Sequence, residues 1–193
     1  LEQASTYEGL PFIERLSLLV EHEQLSREQR KQARLVKQAR LKLQATVQEV
    51  DYQSARNLER SQVANLAQGE WLRRGQNLLI TGPCGCGKTY LACALGYQAC
   101  QQGHSTRYYR LPRLLLELSQ ATVDGSYARL LGQLARIELL ILDDWGLEAV
   151  NAEQRNALLE IMDDRYGKYS TVVVSQLPTE EWYASLGDNT LAD

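Results

Sequence analysis

The sequence has no apolar run approaching the length of a bilayer span, and its first residues, LEQASTYEGL, lack the basic and apolar blocks of a signal peptide. A cytoplasmic location, with no membrane partner, is the resulting expectation. A disulfide framework is excluded next. Cys84, Cys86, Cys93 and Cys100 lie in one short stretch and cannot staple distant parts of a fold, so they are read as reduced thiols. Histidine is scarce: His22 falls on a polar helix and His104 follows Gly103 in a turn, and neither has a catalytic partner in view. There is no internal repeat and no low-complexity tract. What remains is a chain of 193 residues, 44% apolar, long enough for one substantial domain with a small appendage. It opens at Leu1 without a methionine and stops at Asp193 in mid-pattern, so more protein is expected beyond both ends.

Net charge is only −3, but it is unevenly spread. Residues 27–42, REQRKQARLVKQARLK, carry seven bases against the single acid Glu28. At 100° per residue Arg27, Arg30, Lys31, Arg34, Lys37 and Lys42 fall in one sector, with Leu25, Val36, Ala39 and Leu43 opposite. Such a basic amphipathic helix serves either as a solvated packing helix or as a contact for a phosphate backbone, and the pattern alone leaves both open.

The texture changes along the chain. Residues 10–47 are rich in Leu, Glu, Gln, Lys and Arg and predict two or three helices. The stretch 47–61, VQEVDYQSARNLERS, loses this periodicity and reads as a linker. NLLITG, STRYY, IELLILDD and STVVVS are then short strand-like runs, separated by helical patterns at 88–102, 111–135 and 151–167. That alternation predicts an α/β fold, with a parallel sheet covered on both faces.

The stretch GPCGCGKT, residues 82–89, fits G-x-x-x-x-G-K-[ST], follows the strand NLLIT and opens a helix. Glycines let backbone N–H groups approach phosphate oxygens, and the helix start presents its positive end to the same anion. Gly82, Pro83, Cys84, Gly85, Cys86, Gly87, Lys88, Thr89 and Tyr90 are therefore the expected nucleotide contacts. Lys88 would reach the β and γ phosphates of ATP, and Thr89 would place its hydroxyl on Mg²⁺. Zinc at the cysteines is not the expected reading, because folding the loop around a metal would take it from phosphate. Downstream, IELLILDDWG is an apolar strand ending in two carboxylates, the form of a Walker B motif. Asp143 would hold Mg²⁺ through water, and Asp144 would orient or deprotonate the attacking water. The strand-like STRYY between the two motifs points to an ATPase core of the additional-strand type rather than a simple nucleotide kinase. STVVVS ends in Ser175 and Gln176, where Gln176 could sense the γ phosphate. Tyr52 and Arg56, in the linker, could border the adenine.

FIERLSLLVEHE, RLVKQARLK, DYQSARNLERS, NLLITGPCGCGKTYLACALGYQAC, DGSYARLL, LLILDDWG, AEQRNALLEIMDDRYG and SQLP together resemble the IstB-type ATP-binding proteins of bacterial insertion sequences. These are grouped with the DnaC and DnaI helicase loaders among AAA+ ATPases. The resemblance spans nearly the whole chain. It implies an N-terminal helical domain and linker (1–57), an AAA+ core (58–193) lacking its C-terminal part, ATP-dependent homo-oligomers, binding to double-stranded DNA and delivery of that DNA to a cognate transposase. Departures matter too. Asp144 stands where many AAA+ proteins have the longer glutamate, so slow hydrolysis is expected, and an arginine finger and sensor arginine would lie past Asp193. Two alternatives keep the fold: a replicative helicase loader, and a DNA-architectural protein that nucleotide only stabilises.

Overall fold

The computed structural model describes residues 9–52 and 58–182. Among the described residues the first element is a long helix, α1 (Phe12–Ala39). Short helices α2 (Arg60–Ala67) and α3 (Glu70–Arg73) lead to β1 (Leu78–Thr81), followed by α4 (Lys88–Gln101) and β2 (Thr106–Arg110). Helices α5 (Leu111–Asp124) and α6 (Tyr127–Ala135), β3 (Leu139–Trp145), α7 (Ala152–Arg165) and β4 (Ser170–Ser175) follow. All strand pairs are parallel and the order is β1-β4-β3-β2.

The alternation of strand residues explains the layers. β3 and β4 are almost wholly buried, as strands covered on both faces must be. Leu140, Leu142 and Val173 face one core with Leu114, Leu118, Leu134, Leu158 and Ile161 from α5, α6 and α7. Leu139, Ile141, Val172 and Val174 face the other, formed mainly with Ala92, Cys93 and Ala99 of α4. Gly96 permits that close approach: a Cβ there would lie 2.7 Å from the Ile141 Cδ1. Below β3 and β4, the buried Arg165 guanidinium donates to the carbonyls of Leu134 (2.7 Å), Ile137 (2.6 Å) and Ser170 (2.5 Å) and to the Thr171 hydroxyl (3.0 Å). Among the described residues no carboxylate shares this network, and burial brings the Arg165 pKa down to about 10.

Three expectations about helices are corrected. The two or three helices of 10–47 are one, because nothing between Phe12 and Ala39 breaks helical geometry. Only its last turns pack: Leu35 and Ala39 bury against Cys100, whereas Leu25, assigned to the apolar side, is 58% exposed. The basic helix ends at Ala39 rather than continuing through 42, since Arg40 adopts the left-handed region (φ 50°). The pattern at 111–135 is two helices, divided where Gly125 turns left-handed (φ 77°). The expected boundary near residue 57 falls outside the described residues, as does Arg56. Among the described residues no helix is long and apolar enough to cross a membrane.

Candidate nucleotide-binding site

The loop between β1 and α4 lies at the carboxyl edge of the sheet, where parallel strands leave a crevice. Its shape depends on glycine. Gly82 has φ 148° and Gly87 φ 91°, regions that other residues avoid, and a Cβ on Gly82 would press on the Cys86 sulfur at 3.3 Å. Gly87 then caps α4, so the first amides of a fourteen-residue helix open into the crevice. Lys88, the first helical residue, curls back and donates through Nζ to the carbonyls of Gly82 and Pro83, both at 2.7 Å.

β3 brings its acids to the same edge. Asp143 is 2% exposed, and its Oδ2 accepts from the Thr89 hydroxyl at 2.8 Å and from the Tyr108 hydroxyl at 2.6 Å. Its Oδ1 accepts the Asp144 amide at 2.9 Å, and the Lys42 ammonium lies 4.0 Å from Oδ2. Burial, and then the Asp143 carboxylate, push the Tyr108 phenol well above its ordinary range, so it stays protonated and donates. Asp144 differs in kind. The β3–β4 register slips between Leu142 and Trp145, and Asp144 takes φ 63°, which turns it out of the strand. Arg110, closing β2, donates from Nε to the Asp144 Oδ2 at 2.5 Å.

Two adjoining pockets share Gly85, Gly87, Lys88 and Tyr90. One, of about 360 Å³, is lined by Val50, Leu58, Ile80 and Leu91 with Glu49 and Asp51 at its rim. The other, of about 320 Å³, holds Lys42, Thr89, Asp143, Asp144, Ser175 and Gln176. Together they form an elongated crevice with an apolar end suited to a planar base and a charged end suited to phosphates. Thr89 and Asp143 are hard oxygen donors in contact with each other. Mg²⁺ takes one or two such protein oxygens and completes its shell with phosphate and water, so the pair fits it.

Cys84 through Tyr90, Asp143, Asp144 and Gln176 thus line one crevice, whereas Gly82 and Pro83 do not line it and only offer their carbonyls to Lys88. Tyr52 does not line it. Its ring lies under the Arg60 guanidinium, 5.0 Å from the centroid, in a neighbouring cleft. Lys42 leaves the DNA-facing sector assigned to it and enters the crevice, because the chain turns at Arg40. Arg27, Arg30, Lys31, Arg34 and Lys37 remain exposed along α1, with Arg27 and Arg30 paired to Glu23 at 2.7 and 3.3 Å. Trp145 does not stack over the site: it is buried against Trp182, ring centroids 5.8 Å apart. His104 does have a partner, Glu138, 2.8 Å away at the opposite edge of the sheet. Residues missed from the sequence are Tyr108 and Arg110, which the parallel register with β3 carries to the acids, and Glu49, Val50, Asp51 and Leu58 at the apolar end. The alternation in TRYYR could have flagged Tyr108 and Arg110 as sharing a face.

The family model described as IstB-like ATP binding protein matches residues 1–193. An insertion-sequence ATP-binding protein of Sinorhizobium fredii is 47% identical over 186 residues, covering 96% of this chain and 76% of that protein. Another from Pseudomonas fluorescens is 50% identical over 172 residues, covering 89% of this chain and 74% of that protein. The crystal structure of the DnaC helicase loader matches with a TM-score of 0.68 at 21% identity, covering 77% of this chain and 90% of that one. The structure of AMPPCP-bound DnaA from Aquifex aeolicus matches with a TM-score of 0.69 at 18% identity, covering 79% and 48%. At these identities the structural matches speak for the AAA+ fold alone.

Proposed function

The chain belongs to the IstB-like ATP-binding proteins, and from that premise we propose that it is a Mg-ATP-dependent ATPase that assembles on duplex DNA and presents it to the transposase of its insertion sequence. The observation that carries the chemistry is the crevice itself, in which Lys88 and Thr89 from one element meet Asp143 from another, Thr89 Oγ1 lying 2.8 Å from Asp143 Oδ2.

The residues divide the work by position. The adenine occupies the apolar end among Val50, Leu58, Ile80 and Leu91. The amides of 84–89 face the β phosphate, and Lys88 exchanges its two loop carbonyls for phosphate oxygens, a stronger charge-assisted pairing. Thr89 and Asp143 would hold Mg²⁺, with Tyr108 fixing the carboxylate through its 2.6 Å bond. When bound, the ion neutralises charge on the phosphate oxygens. Asp144 accepts the proton of the attacking water as the β–γ bridging bond breaks, releasing ADP and phosphate. Its pairing with Arg110 engages one carboxylate oxygen and draws the group away from water, which supports slow basal hydrolysis. Gln176, just past β4 and lining the charged pocket, orients that water.

The exposed row Arg27, Arg30, Lys31, Arg34 and Lys37 supplies the phosphate-backbone contact. ATP bound within the assembly stabilises it by mass action, and hydrolysis weakens it.

Lys88→Ala tests the mechanism. Wild-type protein should sediment as ATP-dependent oligomers on duplex DNA, whereas the variant should bind ATP at least about tenfold more weakly and remain unassembled. ATP-dependent oligomers of the variant on DNA would overturn the mechanism.

A further inference from the structure

We propose that Lys42 binds the terminal phosphate of the nucleotide and thereby discriminates ATP from ADP, an inference that rests on the nucleotide reading above. Lys42 lies outside the phosphate loop and reaches the crevice from the turn that follows α1. Of the two adjoining pockets it lines only the charged one, together with Asp143, Asp144, Ser175 and Gln176. Lys88 belongs to both, as befits a residue at the middle of the phosphate chain. Lys42 therefore stands where a third phosphate ends, and ADP does not extend that far.

Its ammonium is available for this. At 4.0 Å from Asp143 Oδ2 the contact is an ion pair across a gap, too long for a hydrogen bond. Asp143 is already satisfied by Thr89, Tyr108 and the Asp144 amide, so Lys42 is not needed to complete its hydrogen bonding. The side chain is 44% exposed and free to swing toward an anion.

The backbone that presents Lys42 is built rather than loose. Arg40 turns the chain out of α1 with left-handed φ. Ala39 and Ala45, on either side, are both buried. Upstream, the Arg107 guanidinium holds the Gln38 carbonyl at 2.8 Å, and Gln32 holds the Gln101 carbonyl at 2.8 Å. A phosphate gripped by Lys42 consequently pulls on the end of α1, the helix that carries the exposed basic row.

The test is equilibrium binding of fluorescent ATP and ADP analogues, with magnesium, to the whole chain and its Lys42→Met and Lys42→Arg variants. A half-exposed charge-assisted contact should give about a tenfold loss of ATP affinity in Lys42→Met, with ADP affinity changed less than about twofold. Lys42→Arg should recover most of the ATP affinity. In wild-type protein ATP, but not ADP, should also slow amide exchange over residues 36–46, and Lys42→Met should abolish that protection. Equal loss for both nucleotides would make Lys42 a mere support of crevice shape, and unchanged or tighter ATP binding would make it a counter-charge for Asp143; either result overturns the proposal. If the wild-type chain binds neither nucleotide, the functional reading itself fails, a result distinct from both.

Discussion

Replacing Arg110 by alanine should speed basal ATP hydrolysis. The guanidinium is 56% exposed and the Asp144 carboxylate 13%, with Nε 2.5 Å from Oδ2. Water and salt screen such a pair, so it contributes at most about 1 kcal/mol, a factor of about five in population. Asp144 is simultaneously held at φ 63°, which disfavours a non-glycine residue by about 1–2 kcal/mol. Strain and ion pair nearly offset, leaving Asp144 close to balance between the Arg110-bound arrangement and one in which its carboxylate meets water. Arg110→Ala removes one pan of that balance, and because about half of the wild-type carboxylate is already free, phosphate release from a single turnover at saturating ATP, without DNA, should rise about 1.5- to twofold. Ionic strength gives an independent check. Wild-type hydrolysis should climb toward the variant's rate between roughly 0.05 and 0.3 M salt as the pair is screened, while the variant stays flat. Slower or unchanged hydrolysis in Arg110→Ala at low salt would refute the idea that Arg110 withholds the carboxylate.

Tyr108→Phe deletes a buried donor to a buried carboxylate. Thermal unfolding should show a loss of about 1.5–3 kcal/mol, with magnesium affinity falling while Mg-free nucleotide binding is spared. A variant as stable as the parent would mean that Thr89 and the Asp144 amide already suffice for Asp143. Burial alone would raise the Glu138 pKa, but the Ser105 amide and hydroxyl and His104 together bring it below the usual 4.5. A carboxylate depressed in the folded state contributes stability above its unfolded pKa and loses it as pH falls through the folded value. Stability should therefore decline below about pH 4.5, and Glu138→Ala should be less stable than wild type near neutrality and flatter in acid, as followed by denaturant unfolding across pH.

Much of the crevice was legible because its parts are local. GPCGCGKT specifies its own turns through Gly82 and Gly87, and LLILDD is long and apolar enough to be a central strand whatever surrounds it. The two-sided burial of β3 and β4 follows from the same runs. What stayed hidden depends on register or on a single backbone angle. Tyr108 and Arg110 matter only once β2 lies beside β3, a pairing that no residue of TRYYR announces. Lys42 shares the helical period of the basic row, and only the left-handed turn at Arg40, a residue type that rarely takes it, removes it from that face. Leu25 was counted as apolar lining by periodicity, yet periodicity cannot say where a helix stops touching its neighbours. The divide at Gly125 was readable in principle from DGS, but the leucines on both sides keep helical spacing across it.

Arg165 gives the molecule a lopsided stiffness. A guanidinium that feeds four oxygens without a compensating acid cannot surrender any of them cheaply, so the amino ends of β3 and β4 and the foot of α6 are clamped as one block. Whatever opening and closing nucleotide turnover demands must then be taken up at the far rim, in the bends at 40–46, 82–87 and 144–151, and lysine, with three donors and no planar fork, could not hold the clamp in its place.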